Sequence, residues 1–363
     1  MLATGMKFRN KRRWRIIRDY SVGWTLAFIF LSIVRGSGTL ELGSVQFDLW
    51  SSILVACFLG PFFGSISGYA QVLMESKVYG RMSLQKLLIL RVIYFLLFIA
   101  LLTLVSYTLV TRVFEVNVGL AEFMVEPGSF AIYFYILTVD VFMIILAQVN
   151  LLLGGNNLKK LLLGKFYKPH EEERIFMFLD LQSSTQLAEK LGHIRYSLFI
   201  QECFNDLAIV LENEAEIYQY VGDEVILTWE LKDGLRNQNC LHAYFNFKQK
   251  LVDRRNHYIE KYGVVPFFKA GMNAGNVTVT EVGKYKKEIA YHGDTLNTAA
   301  RIQGKCNDFN QELLISGYLL DQLEQDGFRF EELAGISLRG KSEEVSIYAV
   351  VQGTGGLQAV DAA

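Results

Sequence analysis

Arg174-Ile-Phe-Met-Phe-Leu-Asp180-Leu-Gln-Ser-Ser-Thr185 is the stretch that decides how this 363-residue chain folds. Its first seven residues are almost wholly apolar, the pattern of a short strand buried on both faces. Asp180 ends the run, and Ser183, Ser184 and Thr185 supply capping residues for a helical stretch reaching about Asn213. Glu216 to Glu230 then reads as two strands joined by a tight turn at Val221-Gly-Asp-Glu224. A helix is predicted from about Leu235 to Tyr262, followed by strands around Phe267–Ala274 and Asn276–Val282 and a helix from about Thr295 to Cys306. Further strand patterns lie near Leu313–Ile315, Phe328–Leu333 and Val345–Val351. Strands and helices alternate irregularly, so this half is α+β. The tail from Gly353 to Ala363 is expected to be disordered.

Upstream the composition changes. Residues 1–165 carry 16 lysines and arginines against 8 acidic residues, and the remainder carries 20 against 29, so a net charge of -1 hides two unlike halves. Four apolar stretches lie in the first 155 residues. Tyr20 to Val34 has only 15 residues, Leu49 to Ala70 has 22, and Val92 to Thr111 and Phe130 to Leu153 follow, the last with the single charge Asp140. At 1.5 Å per residue the first falls short of the ~30 Å hydrocarbon core, and the others reach it. Four transmembrane helices are expected. Basic clusters precede the first stretch (Lys7 to Arg18), separate the second from the third (Lys77, Arg81, Lys86) and follow the fourth (Lys159, Lys160, Lys165). The other two loops carry Glu41, Asp48, Glu115, Glu122 and Glu126 against Arg35 and Arg112. The positive-inside rule then puts both termini in the cytoplasm. No small-residue cleavage site follows the first stretch, which argues against a signal peptide.

Asp140 near mid-bilayer reads either as a sensing group or as a hydrogen-bonded carboxyl that fixes packing. Gly60, Gly64 and Gly68 permit a close helix contact, while Pro61 beside them permits a plain kink. Gly154 and Gly155 mark a helix stop, and a short joint follows before the α+β half. Disorder and a disulfide-stapled mini-domain are excluded by composition, and Cys57, Cys203, Cys240 and Cys306 show no CxxC spacing.

The common nucleotide motifs GxxxxGK[ST] and GxGxxG are missing, as is HExxH. Asp180 and Asp223 remain, each at the end or turn of a predicted strand, where carboxylates brought together can hold divalent cations against a triphosphate. Asn297 and Arg301 are four apart in Asn297-Thr-Ala-Ala-Arg301 and share a helix face, with small neighbours that allow close approach. An amide and a guanidinium so placed can orient a sugar and neutralise a phosphoryl group in transfer. Arg339-Gly-Lys341 falls in a predicted turn, where it reads either as a phosphate contact or as a solvated basic turn.

Residues of about 170–352 resemble the catalytic domain of the class III nucleotidyl cyclases. The resemblance rests on Phe178-Leu-Asp180-Leu-Gln-Ser-Ser-Thr185, Val221-Gly-Asp223-Glu, Gly293-Asp-Thr-Leu-Asn297-Thr-Ala-Ala-Arg301, and Arg339-Gly-Lys341 before Ile347-Tyr348. It implies a ferredoxin-like α+β domain working as a head-to-tail homodimer with active sites at the interface. Asp180 and Asp223, with Leu181, match the positions that hold two Mg²⁺ or Mn²⁺ in one subunit. Asn297 and Arg301 match the transition-state pair from the other subunit. Thr185, Arg339 and Lys341 match substrate-contacting positions, the last two at the β- and γ-phosphates.

One departure bears on the substrate. The family's adenylate cyclases place Lys and Asp or Thr at the base-reading positions, and its guanylate cyclases place Glu and Cys; here stand Gln219 and Ala290. Gln219 both donates and accepts, and Ala290 offers only its backbone. The absence of the guanine-reading Glu favours ATP, with GTP as the alternative. A catalytically silent nucleotide-binding module is the rival of another class, and Val221-Gly-Asp-Glu224 is a weak match to a diguanylate cyclase.

The expected architecture is therefore an N-terminal all-α transmembrane bundle of four helices plus a C-terminal α+β ferredoxin-like class III cyclase domain. Its expected segments are a membrane domain over 1–153, a transducing linker over 154–170, a catalytic domain over 171–352 and a disordered tail over 353–363. The implied partners are the nucleotide, a second copy of the chain and the lipid bilayer of the cell membrane, with no nucleic acid.

Overall fold

The structure, a computed structural model, describes residues 2–36, 49–77, 84–112, 117–154, 157–324, 326–337 and 344–352. The loop residues Glu41, Asp48, Arg81 and Glu115, the pair Arg339 and Lys341, and the tail 353–363 lie outside the described residues. The chain divides into two compact units, one of Arg9–Val149 and a second that takes up the chain from Asn150 onward.

The first unit holds α1 (Leu2–Gly36) from Arg9 onward, α2 (Leu49–Lys77), α3 (Leu84–Arg112), the short α4 (Leu120–Val125) and α5 (Pro127–Leu153) as far as Val149. Four helices contain segments long and apolar enough to cross a membrane: Arg13–Arg35, Leu49–Glu75, Ile89–Arg112 and Gly128–Leu153. The shortness expected of the first disappears, because the helix runs on through the basic residues that bound its apolar stretch. Tyr20, Trp24, Phe63, Phe98 and Ile136 pack inside the unit, whereas Leu26, Phe30, Phe58, Leu97 and Phe134 point outward.

The glycines of α2 are contact surface. A Cβ on Gly60, Gly64 or Gly68 would lie 2.5, 2.5 and 2.8 Å from the Cα atoms of Thr25, Ser21 and Ile17. Both series step by four residues and run in opposite directions, so the two helices approach backbone to backbone along one line. Pro61 lies inside α2, which continues as one helix. Asp140 is buried beside a cavity of about 10 Å³ lined also by Tyr20, Ser67, Gln71, Arg91 and Tyr94. That is about the space of one water molecule.

The second unit begins with α6 (Asn157–Leu162) and β1 (His170–Leu181), then α7 (Ser184–Leu191) and α8 (His193–Leu207). The hairpin β2 (Glu216–Val221) and β3 (Glu224–Glu230) follows, then α9 (Leu231–Leu235), α10 (Asn239–Asp253) and α11 (Arg255–Tyr262). The rest is β4 (Phe268–Val282), β5 (Glu288–His292), α12 (Asp294–Gly304), β6 (Leu313–Ser316), α13 (Gly317–Gln322), β7 (Phe328–Ser337) and β8 (Glu344–Gln352). The sheet order is β2-β3-β1-β4-β6-β8-β7, with β5 attached to β4. Its first four strands, joined through α7–α8 and α9–α11, form the ferredoxin-like core, all antiparallel to their neighbours. β6 then joins β4 in parallel.

Several sequence expectations are refined. The helix expected to reach Asn213 breaks at Gly192, whose φ of +73° suits glycine, and Ser183 makes no side-chain cap. The long helix before Tyr262 is three pieces, with a break at Arg254. The two strands expected on either side of Gly275 are one 15-residue strand, and β5 was not expected at all. Its five residues, Glu288 to His292, begin at the end of a charged run and are too short to show as a strand pattern.

Candidate active site

Strand alternation along β1 sorts the site from the core. Ile175, Met177, Leu179 and Leu181 enter the large core on one face, while Phe176 and Phe178 enter a smaller cluster on the other, with Ala299 of α12. Asp180, two residues past Phe178, therefore emerges on the α12 face at the strand's end. In register it stands directly opposite Glu224 of β3. Asp223 precedes Glu224 in the two-residue turn of the hairpin, and Gly222 takes the φ of +65° that the turn requires.

Three carboxylates thus share one end of the sheet. Burial, then the Asp223 charge, raises the Asp180 pKa above the usual carboxylate value. Burial, then Asp180 and Asp223, pushes Glu224 up to about 7. Burial and then Asp223 also raise the phenol of Tyr196 to about 12; it hydrogen-bonds Ser184 nearby. Opposed like charges destabilise a strand pair, and a hard cation between them relieves that repulsion. Among the described residues no three acidic, histidine or cysteine side chains close around a single point. Asp180 and Asp223 are carboxylates of the kind that suits a hard divalent cation, and Leu181 follows Asp180 on the same strand.

The helix α12 is pressed onto this end of the sheet. A Cβ on Gly271 would lie 2.1 Å from the backbone nitrogen of Gln303, so only glycine lets the helix sit there. Its start is fixed by Thr295, whose hydroxyl donates to the Asn276 carbonyl at 2.8 Å, and by Asn273 Nδ2, which donates to the Thr295 carbonyl at 3.1 Å. At its far end the Gln303 side chain hydrogen-bonds Asp180. Asn297 and Arg301 lie on the same helix, Asn297 exposed and Arg301 half-buried, with its enclosed Nη1 lacking a hydrogen-bond partner. Six residues separate Asn297 from Gln303, about 9 Å along a helix axis.

A bulge in β2 aims Gln219. The register passes from Ile217↔Leu227 directly to Gln219↔Ile226, leaving Tyr218 as the extra residue. Cross-strand partners share a face, so Gln219 joins Ile226 on the α12 side, where Tyr218 also packs. Ala290 sits on β5 opposite Thr280, and its neighbour Tyr291 meets Tyr218 with ring centroids 4.9 Å apart. The strands bearing the two expected base-reading residues thus come together, and alternation turns the Ala290 methyl away from Tyr291. Thr185 is exposed in the first turn of α7, next to Ser184.

The structure brings Asp180, Leu181 and Asp223 together, puts Asn297 and Arg301 on one helix, and joins the strands of Gln219 and Ala290. Reading the sequence missed three residues of this site. Glu224 was quoted only as part of a turn, and its position opposite Asp180 depends on strand register. Gln303 and Tyr196 reach the carboxylates only through packing, which leaves no local signal.

The family described as the adenylate and guanylate cyclase catalytic domain matches residues 166–352. Adenylate cyclase 2 of Rhizobium meliloti is 33% identical over 213 residues, covering 58% of this chain and 59% of that protein. Adenylate cyclase 1 of the same organism is 25% identical over 186 residues, covering 50% of this chain and 28% of that protein. In both cases the chain spans less than two thirds of the relative's own length. Among solved structures, the adenylyl cyclase CyaB from P. aeruginosa aligns at 20% identity with a TM-score of 0.46, over 53% of this chain and 100% of that one.

Proposed function

This chain belongs to the family of adenylate and guanylate cyclase catalytic domains, and from that premise we propose that it is a membrane-anchored adenylate cyclase, converting ATP to cyclic AMP and pyrophosphate at a homodimer interface. The observation that carries the reading is the gathering of Asp180, Asp223 and Glu224 at one sheet end, on the face covered by the helix of Asn297 and Arg301. The four apolar helices with outward-facing Leu and Phe side chains support the anchoring. The basic clusters of their loops support a cytoplasmic catalytic half. The names of the two bacterial relatives, both adenylate cyclases, support ATP over GTP.

In this mechanism Asp180 and Asp223, with the Leu181 carbonyl, would hold two Mg²⁺ or Mn²⁺. Bound divalent cations supply charge neutralisation at the triphosphate and a lowered pKa at the ribose 3′-hydroxyl. The 3′-hydroxyl gives its proton to water, its oxygen attacks the α-phosphorus in line, the O3′–Pα bond forms, the bond to the bridging oxygen breaks and pyrophosphate leaves. Asn297 orients the ribose, and Arg301 meets the charge developing on the α-phosphoryl oxygens; its unpartnered Nη1 suits that duty. The distance along α12 between Gln303 and Asn297 supports donation of Asn297 to the partner chain's site. Gln219 and the Ala290 backbone contact the purine, and Thr185, Arg339 and Lys341 serve the phosphates.

The test uses the full chain in lipid nanodiscs, incubated with ATP or GTP and Mg²⁺ or Mn²⁺. Cyclic AMP and pyrophosphate should form from ATP, and Asp180→Ala should lower the rate by roughly 100-fold or more. Cyclic GMP as the main product would reverse the substrate assignment. Nucleotide binding without pyrophosphate release would leave a silent binding module instead.

A further inference from the structure

Arg174 has no exposed surface, although it is a charged residue in the middle of a strand. A buried cation is tolerated only when paired, and an apolar residue of similar size often serves stability equally well. Here the pairing is complete. Its guanidinium donates to Glu172 at 2.9 Å, to Glu216 at 2.6 Å and to the Thr228 hydroxyl at 3.0 Å, and Thr228 in turn donates to the Ile175 carbonyl at 3.0 Å. The same guanidinium lies 5.0 Å from the centroid of the Tyr291 ring. Tyr291 packs edge-on against Phe176 at 5.4 Å and Tyr218 at 4.9 Å.

Two partners of Arg174, Glu216 and Tyr291, belong to strands that do not pair with each other. Glu216 starts β2, the edge strand whose bulge at Tyr218 aims Gln219. Tyr291 belongs to β5, which pairs with β4 alone and carries Ala290. β3, β1 and β4 lie between β2 and β5, so no ladder pairs these two strands directly. Side chains bridge them across that gap: Tyr218 packs on Tyr291 and hydrogen-bonds its backbone, and Arg174 holds Glu216 on one side and the Tyr291 ring on the other. Recognition of a purine edge tolerates errors of only about half an ångström.

A second input reaches the same residue. Lys160 of α6, in the segment just after the last apolar helix, lies 3.9 Å from Glu216 and 3.6 Å from Glu230. Glu216 therefore stands between the ammonium of the joint and the guanidinium of the site.

We propose that Arg174 is a positioning residue that sets purine choice, by holding the Gln219 strand and the Ala290 strand at the spacing one base requires. This rests on the cyclase reading above and deepens it. The contacts of Arg174 include none of Asp180, Asp223, Asn297 and Arg301, so its loss acts on nucleotide affinity and discrimination and leaves the cation requirement alone.

The experiment compares wild type, Arg174→Met, Arg174→Lys and Tyr291→Leu as full chains in lipid nanodiscs. It measures kcat and KM for ATP and GTP, the Mn²⁺ concentration for half-activation, and Kd values for fluorescent ATP and GTP analogues. In Arg174→Met and Tyr291→Leu the preference between the nucleotides should shrink by about tenfold, mainly through KM. Half-activation by Mn²⁺ should stay put, and Arg174→Lys should fall between. If Arg174→Met does not fold, Tyr291→Leu and Glu216→Gln, which leave β1 intact, decide the question. A wild type without preference, an unchanged preference in the variants, or a loss confined to kcat would overturn the proposal. If wild type makes no cyclic nucleotide, the cyclase reading fails, while the ratio of analogue Kd values still decides the role of Arg174.

Discussion

Asp180 and Glu224 face each other across an antiparallel pair, and that single register contact turns a turn motif into an electrostatic device. Glu224 ordinarily titrates at 4.5, and in the folded chain it is pushed up to about 7 by burial and then by Asp180 and Asp223. A carboxyl whose pKa is raised on folding binds its proton more tightly in the native state. Stability without metal should therefore be full below about pH 4.5 and fall as pH rises towards about 7, where the ionised pair repels. Asp180, shifted the same way, adds to the fall. Thermal melts of the full chain in EDTA between pH 5 and pH 8 would show it, and Glu224→Gln should flatten most of the slope. A melting temperature that rises over this window would contradict the cause assigned to Glu224. Adding Mn²⁺ should restore most at the upper end, where the carboxylates are charged and ready to bind.

At the scale of elements, the site depends on how closely α12 lies on β4. Gly271 is the close approach: Gly271→Ala drives a Cβ into the backbone at Gln303, so the helix must lift. Overpacking of this kind typically costs about 1–3 kcal/mol. Lifting also loosens the Gln303–Asp180 hydrogen bond and shifts Asn297 and Arg301. Gly304→Ala, at the end of the same helix with nothing within 4 Å of its added Cβ, is the control. Thermal unfolding and cyclase assays on both variants should show loss at 271 and near-neutrality at 304; equal behaviour would mean that helix packing does not limit the site. The glycines of α2 follow the same rule, each fitting a backbone Cα of α1. Their spacing was visible in the sequence, but the choice between contact and kink required the neighbouring helix. The β2 bulge is likewise invisible locally, because it exists only relative to β3.

For the whole molecule, the proposed assembly makes a prediction that no single residue carries. If one chain supplies Asp180 and Asp223 and the other supplies Asn297 and Arg301, then Asp180→Ala and Asn297→Ala chains are each inactive alone. Co-expressed in equal amounts, half of the dimers combine one of each and retain one intact site, so about a quarter of wild-type activity should return on two-fold symmetry. No recovery would mean that each chain completes its own site. The proposed anchoring would favour this pairing, since chains held in one bilayer meet at raised effective concentration.

The sequence by itself determined the division into an apolar α-helical half and an α+β half and the identity of β1, and it marked Asp180, Asp223, Asn297 and Arg301 as candidates. Each is written locally: in runs of apolar residues, in strand or helix periodicity, or in a motif a few residues long. Tertiary structure decided which carboxylate faces Asp180, why Gln219 points toward the site, and why Arg174 is buried. It also decided that the Gly60, Gly64 and Gly68 line is a contact and that β5 exists. All of these depend on register and on approaches between segments far apart in the chain. Such relations arise from packing, where a shift of one residue reverses a strand's faces, and no local pattern of side chains encodes them.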